Sequence, residues 1–292
     1  MSPAGPARRA APWPAPAKLN LFLHILGRRP DGYHELQTAF QFVDLCDQLT
    51  FEPRADGRIV RTAGPAEVPA ESDLAVRAAA ALRSATGMTP GVSIAIDKRI
   101  PLQGGLGGGS SDAATTLVAL NALWNTGLDR DALARLGLAL GADVPVFVHG
   151  EAAFGEGVGE RLAPIEPPEP DYVIVHPGCG VATADVFHAP ELTRNSAAIT
   201  IRAFLREGGR NDCEAVVRRR YPEVARALEW LGRFGTARLT GTGACVFVAV
   251  QSHARAEEIC RTIPPEWRGF ACHGRNRSPL EDRLRAFREA GS

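Results

Sequence analysis

The chain has 292 residues, of which 45% are hydrophobic and 23% are charged, and its 33 basic residues balance 33 acidic ones. This length supports a large core and predicts two domains or lobes. A net charge of zero argues against a general nucleic-acid binder, and no apolar stretch reaches the roughly 18 residues that a membrane span needs. We therefore expect neither a nucleic acid nor a membrane among its partners.

The N-terminal segment and the cysteines indicate the cellular compartment of the protein. Residues 1–15 are rich in proline and alanine and lack the apolar stretch of a signal peptide, so they are predicted to form a disordered tail. The six cysteines are scattered without a C-x-x-C pair, and the seven histidines show no metal-ligand spacing. We expect reduced thiols, a cytoplasmic protein and no metal site made by the chain itself.

The predicted elements alternate irregularly between strands and helices. Apolar alternation predicts strands at 18–26, 40–43, 47–51, 92–97, 152–154, 161–162, 172–176, 238–239, 245–250 and 269–273. Helical spacing predicts helices at 72–84, 112–125, 129–140, 211–232 and 254–262, with Ser72 and Asp129 as N-caps and a break near Pro222. This order is typical of an α+β protein rather than of a Rossmann sheet. The proline-rich segment 164–170 separates the predicted domains 16–165 and 166–292.

A glycine loop joins the predicted strand 92–97 to the predicted helix 112–125. Five of the six residues from Gly104 to Gly109 are glycine. Glycines let backbone N–H groups wrap an anion, and the following helix N-terminus adds unsatisfied donors and the positive end of a dipole. No Gly-Lys-Ser/Thr ends the loop, so it is not a Walker A motif. The pattern predicts a phosphate-binding loop; the alternative is a flexible surface loop.

Lysine is rare, since only Lys18 and Lys98 occur among the 33 basic residues. A compact ammonium approaches a phosphoryl oxygen or a carboxylate as a point charge, which a planar guanidinium does less easily. Lys98 lies just before the glycine loop and Lys18 at the start of the first strong apolar run. Both are candidates for a functional site, and the alternative for each is an ordinary solvated lysine.

Two further segments are candidates for chemistry. Asp143 is a lone carboxylate between a glycine and an apolar run, and it fits a catalytic base and a helix N-cap equally well. The glycine-rich segment 239–247 joins two predicted strands. It is either a tight hairpin or a second backbone that closes on a ligand.

Together these segments resemble a known family. Residues 16–20, 101–114 and 239–247 resemble the three motifs of the GHMP kinases, and residues 29–38 and 141–147 are similar to the branch that phosphorylates a cytidine diphosphate-linked methylerythritol. The resemblance implies a two-lobed fold, with a ribosomal-protein-like α/β domain followed by a ferredoxin-like α+β domain. It also implies a small-molecule kinase of non-mevalonate isoprenoid synthesis that uses ATP with Mg²⁺, as a monomer or weak homodimer.

The resemblance assigns roles to single residues. Asp143 would take the proton of the substrate 2-hydroxyl, and Lys18 would keep that carboxylate ionised. Ser110 would also be a candidate Mg²⁺ contact. The residues expected to hold the ATP phosphates are Lys98, Pro101, Gly104, Gly105, Gly107, Gly108, Gly109, Ser110 and Ser111.

The substrate residues are implied in the same way. Tyr33 and Phe187 match an aromatic pair that sandwiches cytosine, and His34 would bind the cytosine edge. Asn20 and Thr183 would contact the erythritol and diphosphate end. From the residues alone, Tyr33 and His34 would be an exposed turn and Phe187 a core residue.

Two positions depart from the pattern, and three other functions remain open. Asp73 replaces the usual asparagine near the adenine pocket, and Gln103 replaces a smaller residue.

The alternatives are another GHMP enzyme such as homoserine kinase, a nucleic-acid-binding module and an inactive nucleotide sensor. An aromatic pair favours a nucleobase substrate over homoserine, zero net charge argues against nucleic acid, and the presence of Lys18 and Asp143 argues against the sensor.

Overall fold

The computed structural model describes residues 11–290. Within this range there are ten strands: β1 Trp13–Arg28, β2 His34–Arg54, β3 Ile59–Ala63, β4 Gly91–Asp97, β5 Ala153–Gly157, β6 Arg161–Pro164, β7 Asp171–His176, β8 Arg238–Leu239, β9 Val246–Val250 and β10 Arg268–Arg275. The α-helices are α1 Leu74–Thr86, α2 Gly108–Leu123, α3 Arg130–Leu138, α4 Val144–His149, α5 Thr183–Phe187, α6 Ile201–Glu207, α7 Glu214–Arg220, α8 Pro222–Leu231, α9 His253–Cys260 and α10 Pro279–Glu289. Within these residues, no helix has both the length and the apolar character to cross a bilayer.

Strand β2 is the structural centre of the first lobe. It pairs antiparallel with β1, β4 and β5, while β3 joins the far edge in parallel with β4. In the second lobe, β7 lies between β10 and β9. The end of β10 also pairs with β2, at Gly274↔Val43, so the sheets of the two lobes are continuous through β10. The predicted two-lobed α+β fold is confirmed.

The hydrophobic cores do not follow a single division at residue 165. Leu280, Leu284 and Phe287 of α10 pack in the core of the first lobe, although they lie at the C-terminal end of the chain. Leu23 and Ile25 of β1 pack instead in the core of the second lobe. The assignment of all residues after 165 to the second domain is therefore wrong for α10. The sequence analysis did not predict a helix at this position.

The predicted tail is too long at its C-terminal end. Strand β1 begins at Trp13, whose fully buried ring lies 5.4 Å from that of Phe287, so residues 13–15 are ordered. The rest of the predicted tail up to residue 10 lies outside the described residues.

Several local predictions are corrected by side-chain contacts, and others are confirmed. Segments 40–43 and 47–51 are parts of the single strand β2. Helix α1 is capped by Asp73, whose side chain accepts a hydrogen bond from the Ala75 N–H, and not by Ser72. Helix α2 begins at Gly108, four residues before the predicted start at 112. The Asp129 cap and the break at Pro222 are confirmed, and the predicted strands 152–154 and 161–162 are present as the antiparallel pair β5 and β6.

Candidate functional site

A cleft of about 410 Å³ lies where the glycine loop meets β1 and the segment between β8 and β9. Both lobes contribute side chains to it. Residues predicted to bind phosphate and to act as acid or base therefore line one cavity together with an aromatic side chain. Among the residues that line it are Lys18, Asn20, Lys98, Pro101, Gly104, Gly105, Gly107, Gly108, Gly109, Ser110, Asp143, Thr183, Phe187, Gly241 and Thr242.

Close packing explains the glycines of the loop. Gly105 and Gly107 have φ values of 73° and 72°, in the region that glycine adopts most readily. A side-chain carbon at Gly105 would lie 2.2 Å from the Thr240 carbonyl oxygen, and one at Gly107 would lie 2.8 Å from the Phe147 ring. The loop therefore has a fixed shape that ends in the N-terminus of α2, and the alternative of a flexible surface loop is wrong.

The segment between β8 and β9 packs directly on this loop. The N–H groups of Ala244 and Cys245 donate to the carbonyls of Gln103 and Gly104, at 3.1 and 3.0 Å. Asn211 holds the segment from behind, because its amide donates to the carbonyls of Leu239 and Gly241 at 3.0 and 2.7 Å. Of the two interpretations of this segment, the structure supports the one in which a second backbone closes on the cleft.

Lys18 and Asp143 meet in the cleft. Lys18 Nζ lies 3.3 Å from Asp143 Oδ2, with the lysine 3% exposed and the aspartate 34% exposed. The same ammonium donates to Asn20 Oδ1 and, at 3.1 Å, to the Gly105 carbonyl. Asp143 precedes α4, yet its side chain makes no capping hydrogen bond. The structure thus favours the catalytic reading of Asp143, as a half-buried carboxylate beside a cation and open to the cleft.

Lys98 is held by two buried carboxylates. Its Nζ donates to Asp47 Oδ2 and Asp112 Oδ2, both at 2.6 Å. Burial acts to lower the pKa of Lys98, but the two carboxylates outweigh it and raise this pKa. Burial raises the pKa of Asp112, against the lowering effect of Lys98. Asp47 Oδ1 also accepts from the backbone N–H groups of Arg99 and Ile100, so this cluster fixes the chain that enters the glycine loop.

The structure does not bring every predicted phosphate residue to the cleft. Ser111 is fully buried and its N–H bonds to the Gly107 carbonyl, because the helix begins earlier than predicted and encloses this residue in its first turn. Ser110 does line the cleft, where a side-chain carbon at Gly141 would lie 3.5 Å from its Oγ. A hydroxyl oxygen is a ligand that Mg²⁺ accepts, so Ser110 fits a magnesium ion that arrives with the ATP phosphates.

The predicted base-binding residues have unequal environments. Tyr33 is 64% exposed, whereas His34 is buried and stacks on Phe187 with ring centroids 5.1 Å apart. Arg194 Nε donates to His34 Nε2 at 3.1 Å, which leaves the proton of the neutral ring on Nδ1. Burial, followed by the charge of Arg194, lowers the pKa of His34. His34 therefore contacts Phe187 directly, and the sandwich of a base between Tyr33 and Phe187 stays a prediction.

Asn20 and Thr183 line the cleft near its centre. The Asn20 amide donates to Thr38 Oγ1 at 2.8 Å, and the Asn20 N–H donates to Thr240 Oγ1 at 3.0 Å. Thr183 Oγ1 lies 3.0 Å from Thr242 Oγ1 on the opposing segment. Asn20 and Thr183 therefore both contact threonine hydroxyls of the segment between β8 and β9.

Some residues of the site were missed by the sequence analysis. Arg194 also donates to the carbonyls of Phe187 and Ala189, at 2.9 and 2.8 Å, so it fixes the end of α5 as well as His34. No local pattern marks Arg194 or Asn211. Asp112 directly follows the two serines of the loop, but only the fold brings it beside Lys98, which lies 14 residues earlier.

The two unusual positions have structural roles. Asp73 pairs with Arg61 at 2.7 Å in addition to capping α1, so its charge is used within the first lobe. Gln103 has a φ of 53°, and a side-chain carbon at Gly180 would lie 2.2 Å from its Oε1. Gln103 therefore packs across the cleft entrance against the second lobe.

Comparison with known proteins agrees with this architecture. Residues 73–151 match the model of the GHMP kinases N terminal domain, and residues 191–268 match that of the GHMP kinases C terminal domain. A crystal structure of a homoserine kinase from Cytophaga hutchinsonii superposes with a TM-score of 0.70 over 95% of this chain and 98% of that one, at 15% identity, which shows the fold alone. The fold and the glycine-loop site are those of a GHMP kinase.

More similar relatives define the family further. A 4-diphosphocytidyl-2-C-methyl-D-erythritol kinase of Halorhodospira halophila is 58% identical over 92% of this chain and 94% of its own length. The one from Nitrosococcus oceani is 57% identical over 93% of this chain and 97% of its own length. A crystal structure of 4-(cytidine 5'-diphospho)-2C-methyl-D-erythritol kinase matches with a TM-score of 0.79 and 35% identity, over 90% of this chain and 98% of that chain. The chain belongs to the 4-diphosphocytidyl-2-C-methyl-D-erythritol kinase family.

Proposed function

We propose that this enzyme transfers the γ-phosphoryl group of ATP to the 2-hydroxyl of 4-diphosphocytidyl-2-C-methyl-D-erythritol, a step in isoprenoid precursor synthesis. The observation that carries the proposal is the 3.3 Å pair of Lys18 Nζ and Asp143 Oδ2 beside the glycine loop. Relatives that share 55–58% of their residues with this chain bear the name of that kinase. We place the reaction in the cytoplasm, in keeping with six cysteines that are all free thiols.

Asp143 is the proposed general base. Its carboxylate is open to the cleft and accepts the proton of the attacking hydroxyl as the new oxygen–phosphorus bond forms. Lys18, which is nearly fully buried, holds the carboxylate in place and polarises the hydroxyl. Phosphoryl transfer depends mainly on positioning and electrostatics, so a fixed cation–carboxylate pair supplies what the reaction requires.

The glycine loop and the start of α2 are proposed to hold the phosphates. Backbone N–H groups from Gly104 to Ser110 and the positive end of the helix face the anion. Lys98 supports this site by anchoring the loop, since both 2.6 Å contacts of its ammonium go to carboxylates. Mg²⁺, when bound with ATP beside Ser110, would neutralise the charge that develops on the phosphates.

The other side of the cleft is proposed to recognise the cytidylyl group. Phe187 offers a ring face in the cleft, His34 lies against it, and the exposed Tyr33 is free to cover a bound base from the opposite side. Asn20 and Thr183 are proposed to contact the erythritol and diphosphate. Stacking on aromatic rings contributes about 1–3 kcal/mol per base and depends little on the base's identity.

An ADP-release assay tests the proposal. Purified enzyme with MgATP receives 4-diphosphocytidyl-2-C-methyl-D-erythritol, homoserine or mevalonate, and the product is identified by mass. We expect turnover with the cytidylyl substrate and only background with the other two. Turnover with homoserine or mevalonate alone would refute the substrate assignment, and no turnover with any of the three would refute the kinase assignment.

A further inference from the structure

Three side chains of the second lobe converge outside the cleft. Asp171 is the first residue of β7, and His273 of β10 lies directly opposite it in the strand register. His253 begins α9, shortly after β9, whose Val250 pairs with Asp171 from the other side. One ligand atom of each of Asp171, His253 and His273 lies within 4.8 Å of the others. No local sequence pattern marks this cluster, because 82 and 20 residues separate its members along the chain.

The separation between His253 and Asp171 suits a small divalent cation, whereas the exposed His273 ring must turn out of its hydrogen bond with Asp171 to bind the same ion. His253 Nδ1 lies 3.3 Å from Asp171 Oδ1, and His273 Nδ1 contacts the same oxygen. A tetrahedral Zn²⁺ with bonds of about 2.0–2.1 Å holds its ligand atoms roughly 3.3 Å apart. Asp171 is 12% exposed, while His253 and His273 are 47% and 44% exposed. The carboxylate is therefore held by the sheet, and the two rings have room to turn around an ion.

One of the two histidines has a carboxylate near its second ring nitrogen. A histidine that binds a metal through one nitrogen usually directs the other toward a carboxylate or a carbonyl. Glu257 Oε1, one turn further along α9, lies 3.8 Å from His253 Nε2. The backbone N–H of His273 donates to Asp44 Oδ1 at 2.8 Å, which fixes the strand that carries this ligand.

We propose that Asp171, His253 and His273 bind a Zn²⁺ ion on the outer face of the second lobe. Two imidazoles and one carboxylate form a donor set that suits Zn²⁺, whereas Mg²⁺ prefers oxygen ligands alone. None of the three residues is among those that line the cleft, so this site is separate from the one proposed for magnesium. The ion joins β7, β10 and α9, and its binding stabilises the folded chain through linkage.

Calorimetric titration of the metal-free, full-length protein with ZnCl₂ tests this site. We expect one saturable site with about one ion per chain, unchanged by excess MgCl₂, and a higher thermal unfolding midpoint in the presence of zinc. Absence of saturable zinc binding to the wild-type protein would overturn the proposal.

Variants locate the site. The double variant His253→Ala, His273→Ala is expected to bind zinc at least tenfold more weakly, and Asp171→Asn to weaken it as well. His149→Ala, in the first lobe, is the control and should bind as the wild type does. Wild-type affinity in the double variant would place the zinc elsewhere, for instance on the half-buried Cys179 or Cys260, and would refute the proposal. ADP release by the double variant should equal that of the wild type, so this test does not depend on the proposed function.

Discussion

The two sides of the cleft are held together in different ways. On the phosphate side, the buried Lys98 bridges Asp47 and Asp112, and Lys18 contacts Asp143, so three contacts between an ammonium and a carboxylate lie beside one glycine loop. On the base side, a single guanidinium, that of Arg194, holds His34 and the end of the helix that carries Phe187. Tyr33 remains exposed there.

This difference separates catalysis from recognition. A buried charge cluster tolerates little change, because removing one partner leaves an uncompensated charge in the protein interior. An exposed ring on a turn can change without disturbing the fold, so its loss acts mainly on ligand binding. We therefore expect substitutions on the phosphate side to affect turnover or folding, and those on the base side to affect one substrate.

Asp143→Asn is expected to have the largest effect on activity. The amide keeps the shape of the side chain but cannot accept the hydroxyl proton, so kcat should fall by about 10²–10⁴-fold. ATP affinity should stay unchanged, because the loop contacts are intact. Steady-state ADP release and ATP binding by calorimetry measure the two quantities. Asp131→Asn, on the exposed surface of α3, is the control, and near-normal turnover of Asp143→Asn would contradict the role of this residue.

Lys98→Met is expected to have the largest effect on stability. It leaves Asp47 and Asp112 buried without a cation, which should lower the free energy of unfolding by about 3–5 kcal/mol. The neighbouring Arg99→Met removes an exposed ion pair with Asp97 and should change the free energy of unfolding by about 1 kcal/mol or less. Urea unfolding of both variants measures the difference. Equal effects would show that the buried cluster does not depend on the ammonium.

Tyr33→Ala sharpens the comparison on the base side. The loss of one stacking face should weaken binding of the cytidylyl substrate by about 1–3 kcal/mol, roughly 5–150-fold. Because Tyr33 is 64% exposed, the unfolding free energy and the KM for ATP should not change. Leu205→Ala, at another exposed apolar side chain, is the matched control. A similar loss of affinity for both substrates would mean that the turn shapes the whole cleft.

Arg194→Lys is a smaller test of the same side. Lysine keeps the charge but lacks the planar fork that reaches His34 and the carbonyls of Phe187 and Ala189 together. Each lost hydrogen bond should cost about 1 kcal/mol, seen as a higher KM for the cytidylyl substrate with ATP binding retained. The exposed Arg202→Lys is the control. Loss of kcat at unchanged KM would argue against a positioning role.

The smallest expected effect is a pH dependence of stability. The pKa values of buried His24 and His34 are lowered in the folded chain, by burial first. The unfolded chain therefore takes up protons at higher pH, so stability is retained above about pH 6.5 and decreases as the pH falls below it. Urea unfolding at about pH 7.5 and about pH 5 measures this decrease, which should be smaller in His34→Gln. An unchanged decrease in that variant would exclude a contribution from His34.

The sequence by itself determined the features that are encoded locally. The strand, glycine loop and helix follow one another between Gly91 and Leu123, so their order and the prediction of a phosphate-binding loop came from one continuous segment. The rarity of lysine made Lys18 and Lys98 candidates for the site, and the resemblance to GHMP kinases predicted the family.

Only the tertiary structure decided which side chains meet. It showed that Asp143 forms an ion pair with Lys18, which lies 125 residues earlier. It also showed that the Lys98 ammonium donates its hydrogen bonds to carboxylates. It also showed that α10 packs in the core of the first lobe and that Arg194 contacts His34, which lies 160 residues earlier. The cluster of Asp171, His253 and His273 likewise forms only in the folded chain. Local periodicity reports backbone conformation and burial, whereas contacts between distant residues depend on strand register and lobe packing, which no short segment specifies.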